Sequence, residues 1–244
     1  MQLSHRIALI TGASSGVGEV IARFFLKEGA RVFGCGLEPH AYIEDANFAY
    51  RSMDITNYSQ VCDTVKACLN TFGRLDILVN CAGITGVGRI ENTTPEEFKR
   101  QFEINVFGVY NMCKAALDAL KQGEKSVIVN IGSELGQRIG SERIAYCPSK
   151  AAVHMLTQCL AVDCGPEIRV NGIMPGVMDT PMTHARFEQD HDYKDFVTNR
   201  YVLKKLCTPE DVANAAVFLA SEKAGHITGE LMAVCGGGHI FICN

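Results

Sequence analysis

Tyr146 and Lys150, in the run Tyr146-Cys147-Pro148-Ser149-Lys150, stand four residues apart and so share one face of a helix. A phenol beside an ammonium is a candidate general acid/base. The cation favours phenolate and draws a group of reference pKa about 10 toward neutrality, which suits proton exchange with an alcohol or a ketone. The same spacing also serves an ordinary surface pair. Ser133 lies upstream at the end of an apolar run, where a strand end delivers side chains to the ligand crevice of an open α/β sheet. A loop serine capping its own backbone is the other reading. Asn105 is an amide between Ile104 and Val106 in an otherwise apolar stretch. Buried, it must find partners or cost about 1–3 kcal/mol, so it serves as a satisfier of backbone groups, as an anchor for a catalytic water, or as both. Near the amino terminus, Thr11-Gly12-Ala13-Ser14-Ser15-Gly16-Val17-Gly18 follows an apolar run. Missing Cβ atoms there let backbone approach a pyrophosphate at the positive end of a helix. Its spacing is Gly-x-x-x-Gly-x-Gly, and by itself such a turn is weak testimony to a nucleotide.

These groups need a frame, and hydrophobic periodicity supplies one. Short apolar runs predict strands at 7–10, 31–35, 48–53, 77–79, 126–131, 168–174 and 231–234. Between them, helical spacing predicts helices after the glycine turn (Val17, Val20, Ile21, Phe24, Phe25, closed by Gly29) and through Val61, Val65, Cys68, Leu69 and Phe72, closed by Gly73. Further helices are predicted at 102–120, 146–162 and from Pro209 through Leu219, the last with Thr208 as N-cap. Nearly continuous hydrophobic strands alternating with helices mean a parallel sheet covered on both faces. The expected class is therefore α/β, a Rossmann-type doubly wound sheet of about seven strands. Residues 36–47 show no clear period. Residues 182–206 are rich in His, Arg, Asp and Glu, which reads as a substrate lid on a single domain spanning 1–244.

The chain has 244 residues with 47% hydrophobic and 20% charged, enough apolar material for one large core and far from a disordered composition. With 23 Lys plus Arg against 27 Asp plus Glu there is no basic field to grip a polyphosphate backbone, so nucleic acid is not expected as a partner. Eleven cysteines form an odd, scattered set without a Cys-x-x-Cys pair, which argues against a zinc site and for free thiols in a reducing compartment. No metal is expected. No apolar run approaches the length of a membrane span or a signal peptide, so the expected location is the cytoplasm, with no membrane partner.

Taken in order, the motifs resemble those of the short-chain dehydrogenase/reductase family over essentially the whole chain. They are the glycine turn at 11–18; Asp54 in Met53-Asp54-Ile55-Thr56; Asn80-Cys81-Ala82-Gly83; Asn105; Ser133; Tyr146 with Lys150; and Pro175-Gly176 followed by Thr180. The resemblance implies Tyr146 as proton donor and acceptor, Ser133 as the group polarising the substrate oxygen, and Lys150 as the residue that lowers the tyrosine pKa and holds the nicotinamide ribose. Asn105 would anchor a water linking Lys150 to solvent. A dinucleotide would lie on Gly12, Ser14, Ser15, Gly16, Val17 and Gly18, with Leu37 and Glu38 near the ribose and Asp54 and Ile55 near adenine. Asn80, Ala82 and Gly83 would support it, and Pro175, Gly176, Val177 and Thr180 would meet the carboxamide. The activity implied is hydride transfer between nicotinamide and a secondary alcohol or ketone, in a homodimer or homotetramer.

Family members that prefer the 2′-phosphate carry basic residues in the glycine turn and after the second strand. Here those places hold Ser15 and Cys35-Gly36-Leu37-Glu38. An acid near free ribose hydroxyls accepts from them and repels a phosphate, so NAD is expected over NADP, which stays possible. Glu38 stands one or two places later than the family acid, and an ordinary solvated carboxylate is its other reading. Pocket walls would come from Glu134, Gln137, Arg138, Arg143, Thr85, Met178, His184, Arg186, His191 and Arg200. Two of the charged ones pointing inward would suit a small polar or anionic substrate better than a steroid. The competing readings are an NADP-dependent 3-oxoacyl or hydroxysteroid reductase, and a non-catalytic dinucleotide-binding regulator. The regulator should have lost a catalytic side chain, yet Asn105, Ser133, Tyr146 and Lys150 are all present.

Overall fold

Seven parallel strands in the order β3-β2-β1-β4-β5-β6-β7 make one sheet in the computed structural model, which describes residues 1–180 and 183–240. The strands are β1 (Ile7–Thr11), β2 (Arg31–Gly36), β3 (Phe48–Ser52), β4 (Ile77–Asn80), β5 (Ser126–Ile131), β6 (Ile168–Pro175) and β7 (Leu231–Val234). β1, β4 and β5 are buried along their whole length because helices cover both faces, which is why they read as unbroken apolar runs. On one face α1 (Gly16–Lys27) and α8 (Pro209–Ala220) pack Ile21, Phe25, Val212 and Ala216 onto Ile10, Val79 and Val129. On the other, α2 (Tyr58–Phe72), α4 (Gly108–Gln122) and α5 (Tyr146–Cys164) bring Val65, Met112 and Val153 onto Leu9, Leu78 and Ile128. The order of the strands reverses between β1 and β4, and the carboxyl ends of strands beside such a switch point open a crevice.

Local signals explain the boundaries. Asn57 caps α2 by accepting from the Gln60 N–H, and Gly73 ends it in the left-handed region at φ 87°. Thr208 and Asp211 form a reciprocal capping box on α8, with Pro209 at its first position. The same signature, Thr94-Pro95-Glu96-Glu97, starts a helix the periodicity did not separate: α3 (Pro95–Phe102).

The helix expected at 102–120 thus belongs to a longer helical stretch that starts at Pro95 and is widened near its middle. Between α3 and α4 lies a π-helical turn, Glu103–Phe107, with Asn105 at its centre. Its wider turn admits an extra residue, and π-turns often mark functional sites. Residues 37–47 carry no helix. Within the polar segment the chain forms α6 (His184–Gln189) and α7 (His191–Asn199), anchored by buried Phe187, Val197 and Tyr201. The start of the expected lid at Met182 lies outside the described residues, as do the side chains of Arg186 and His191. Among the described residues no helix is long and apolar enough to cross a membrane.

Candidate functional site

A cleft of about 370 Å³ runs along the carboxyl ends of β1, β4, β5 and β6. Its floor at one end is the glycine turn. Gly12 sits at φ 70°, and a Cβ on Gly18 would collide with the Gly12 carbonyl, so backbone packs where no side chain fits. Ser15, the N-cap of α1, makes no side-chain cap bond, so the first-turn amides of that helix are left to serve an anion. Thr11 Oγ1 accepts from the N–H groups of both Cys81 and Ala82 at 2.9 Å, tying the exit of β4 to that of β1. This cradle fits a dinucleotide phosphate.

Next to it Gly36, Leu37 and Glu38 form a rim without helical support. Tyr50 donates to the Glu38 carbonyl at 3.0 Å and Ser52 to the Leu37 carbonyl at 3.1 Å, pinning the loop from β3. Asp54 lines the cleft, but one oxygen of its carboxylate accepts from Thr56 N–H and Oγ1 at 2.9 and 2.8 Å.

Ser133, Tyr146 and Lys150 line the far end. Ser133 caps a 3-10 turn, Glu134–Gly136, accepting from the Leu135 N–H at 3.2 Å, and its own N–H donates to His154 Nε2 at 3.4 Å. That bond requires an unprotonated Nε2. Burial holds the imidazole pKa down to about 4, with the Lys150 charge adding to the effect. Tyr146 opens α5, and Lys150 follows one turn later with Nζ 5.9 Å from the Tyr146 ring centroid.

Lys150 Nζ donates to the Ile131 carbonyl at 3.0 Å, and burial lowers its pKa to about 8. Burial raises the Tyr146 pKa above its ordinary value, opposed by the nearby Ser133 hydroxyl and by the charge of Arg143. The Lys150 ammonium thus lies over the Tyr146 ring while the Ile131 carbonyl holds it to the end of β5.

Most of the residues singled out from sequence meet on this cleft: Gly12, Ser14, Ser15, Gly16, Val17, Gly18, Leu37, Glu38, Asp54, Ile55, Ala82, Gly83, Ser133, Tyr146, Lys150, Pro175, Gly176 and Thr180. Three do not reach its wall. Asn80 points beneath the strand ends, donating to Asn130 Oδ1 at 2.8 Å and Cys113 Sγ at 3.3 Å. Asn105 accepts from the Ile84 N–H at 2.8 Å and donates to the Ile84 carbonyl and Ser149 Oγ, both at 3.0 Å. It thus straps the β4 exit to α5, and a Cβ on Gly83 would stand 3.1 Å from its Oδ1 and 3.5 Å from Lys150 Nζ. Val177 turns its amide to the Tyr201 hydroxyl at 2.7 Å.

Of the expected pocket residues that are described, Met178 lines the cleft, and Glu134, Arg138, Arg143, His184 and Arg200 do not. Glu134 is buried against Tyr201, Arg138 donates to the Gly238 carbonyl, and Arg143 donates to the Gly86 carbonyl at 3.1 Å. Gln137 is exposed and Thr85 half-buried, neither on the wall, and Arg200 lies over the Phe196 ring. His184 is exposed, bridging Asp179 and Glu188. Sequence reasoning missed the wall beside Ser133 and Tyr146, where Ile84, Ile104 and Arg100 face the cleft with Cys81. The i, i+4 spacing of Arg100 and Ile104 was the available signal.

Comparison with known proteins agrees with this geometry. The family model described as enoyl-(acyl carrier protein) reductase matches residues 12–239. The chain is 36% identical over 244 residues to 2-(R)-hydroxypropyl-CoM dehydrogenase of Xanthobacter autotrophicus, covering 95% of this chain and 97% of that protein. It is 30% identical over 246 residues to a 3-oxoacyl-(acyl-carrier-protein) reductase of Thermotoga maritima, covering 97% and 99%. The ligand-free aldohexose dehydrogenase of Thermoplasma acidophilum superposes with a TM-score of 0.93 at 31% identity, covering 99% of this chain and 97% of that one. The chain belongs to the short-chain dehydrogenase/reductase family of oxidoreductases.

Proposed function

We propose that this oxidoreductase is NAD(H)-dependent and interconverts a secondary alcohol and a ketone on a small polar substrate, with Tyr146 as general acid/base. The observation that carries the reading is the convergence of Ser133, Tyr146 and Lys150 on the cleft that the glycine turn opens. A bound nicotinamide dinucleotide supplies or accepts the hydride. Tyr146 gives its phenolic proton to the carbonyl oxygen in reduction and takes it back from the alcohol in oxidation. Ser133 Oγ holds the same oxygen in place. Lys150 is the nearby ammonium, anchored on Ile131, and Asn105 holds the β4 exit against it.

The amides of 12–18 face the phosphates in this reading, Leu37 and Glu38 the adenosine ribose, and Asp54 and Ile55 the adenine. Ala82, Gly83, Pro175, Gly176 and Thr180 line the remainder, with Asn80 and Val177 supporting from behind. Among the residues around Gly36 on the cleft wall, Glu38 is the charged group apart from Asp54 and is acidic, which supports NAD over NADP. Arg100, whose guanidinium belongs to a residue lining the cleft, supports a polar or anionic group on the substrate. Ile84, Ile104 and Met178 give that substrate an apolar flank.

We place the 182–206 segment over this pocket as a lid on a single domain. The exposed Phe107 at the end of the π-turn and Tyr110 on α4, with Met155 and Val162 on α5, support assembly into a homodimer or homotetramer. The ten described cysteines are free thiols, in keeping with the cytoplasm.

The decisive experiment follows NADH absorbance with purified protein, NAD and a panel of sugar alcohols, hydroxy acids and hydroxysteroids, alongside Tyr146→Phe. Turnover of polar secondary alcohols by the wild type is the expected result. Turnover confined to hydroxysteroids overturns the substrate assignment, and comparable turnover when NADP replaces NAD at equal concentration overturns the cofactor assignment. NADH binding without turnover of any substrate makes the chain a regulator.

A further inference from the structure

Ser133 and Gly176 sit on opposite sides of the catalytic end, at the exits of neighbouring strands β5 and β6. The last ladder bonds at these exits run from the Gly132 N–H to the Ile173 carbonyl at 2.8 Å and from the Gly176 N–H to the Val234 carbonyl at 3.0 Å, and past them no backbone bond among the described residues joins Ser133 to Val177. Tyr201, from the end of the 184–201 excursion, fills the space between them and is 2% exposed. Its hydroxyl accepts from the Val177 N–H at 2.7 Å and donates to Glu134 Oε1 at 2.8 Å. Val177 follows Gly176, and Glu134 follows Ser133, so each end of this relay is one residue from the cleft wall.

The fit around the ring is close. A Cβ on Gly176 would stand 3.1 Å from the Tyr201 hydroxyl, and one on Gly238 would stand 2.5 Å from Tyr201 Cε1 and collide with Glu134 Oε2. Glu134 is 4% exposed, and Oε2 has no partner among the described residues, so the Tyr201 O–H is the one hydrogen bond its carboxylate receives among them. A charge-assisted bond to a buried carboxylate is stronger and shorter than a neutral one, and losing it strands the charge. We propose that Glu134 and Tyr201 are positioning residues of this oxidoreductase: the relay Val177 N–H to Tyr201 O–H to Glu134 carboxylate sets the distance between the β6 exit and Ser133, and so the geometry in which Tyr146 meets the substrate oxygen. The inference rests on the reaction proposed above.

Tyr201→Phe keeps the ring and removes both hydrogen bonds, while Glu134→Gln keeps an oxygen that can accept from Tyr201. The expected result for Tyr201→Phe is a fall in kcat of about 10–100-fold with both KM values changed less than about threefold. Amide exchange of Val177 in the ligand-free protein should accelerate at least about tenfold, while the core strands exchange as in the wild type. Glu134→Gln should retain kcat within about threefold of wild type. Wild-type kcat in Tyr201→Phe overturns the inference, as does a loss that follows only the unfolded fraction measured by near-ultraviolet circular dichroism. Unchanged exchange at Val177 overturns it independently of activity. Absence of turnover in the wild type sinks the functional reading and the positioning role together, whereas an active wild type with an unaffected Tyr201→Phe sinks the relay alone.

Discussion

Ser133 and Lys150 are 8% and 6% exposed and meet partners from β5, α5 and the turn between them, whereas Leu37, at the other end of the same cleft, is 70% exposed. The first end is built from side chains that must be satisfied because water cannot reach them. The second is a rim of backbone pinned by Tyr50 and Ser52, with its side chains in solvent. A change at the buried end disturbs several partners at once, so its effects should be large and resistant to salt. A change at the rim alters one interaction that water already screens, so its effects should be small.

The sharpest contrast comes from Tyr146→Phe, which removes one oxygen from the buried end. Its kcat should fall by about a thousandfold or more, read by NADH absorbance, with NADH affinity by fluorescence titration within about threefold of wild type. Gly18→Ala tests the backbone cradle. The added methyl collides with the Gly12 carbonyl, so NADH affinity should weaken by about a hundredfold or the protein should melt several degrees lower. Ser133→Ala removes the hydroxyl proposed to polarise the substrate oxygen on the same cleft wall as Tyr146, so kcat should drop about a hundredfold in steady-state assays. At the rim, Glu38→Gln should narrow the ratio of kcat/KM for NAD over NADP by about three- to tenfold. An effect of Glu38→Gln as large as that of Ser133→Ala would erase the distinction between the two ends.

The smallest effect concerns acid stability. His154 has a folded pKa of about 4 against an ordinary 6.5, so between those values the unfolded chain binds a proton that the folded protein refuses. Stability conferred by the neutral imidazole is therefore present above about pH 6.5 and lost as pH falls toward about 4. His154→Asn should flatten the decline of the melting temperature across that window, and an unchanged slope would contradict the assignment.

Much of this was legible before the fold was described. The strands β1, β4 and β5 announce themselves as apolar runs because both their faces are covered. Tyr146 and Lys150 announce a shared face by their spacing, and Gly73 and Thr208 mark ends and starts of helices by the backbone chemistry they permit. The π-turn around Asn105 was not legible, since its width answers to Ile84 and Ser149, neither a helical neighbour. The burial of Glu134 was hidden for the same reason: a carboxylate reads as solvated unless one knows that Tyr201, far along the chain, will close over it.

By itself the sequence determined the alternation of strands and helices, the glycine turn and the Tyr-Lys pair, all of which depend on residues within a turn or two of one another. The tertiary structure alone decided which polar groups lose water and to whom they then bond. Desolvation depends on what packs nearby in space, so the raised pKa of Tyr146, the lowered one of Lys150 and the turning of Glu134 away from the cleft follow from contacts that no local spacing encodes.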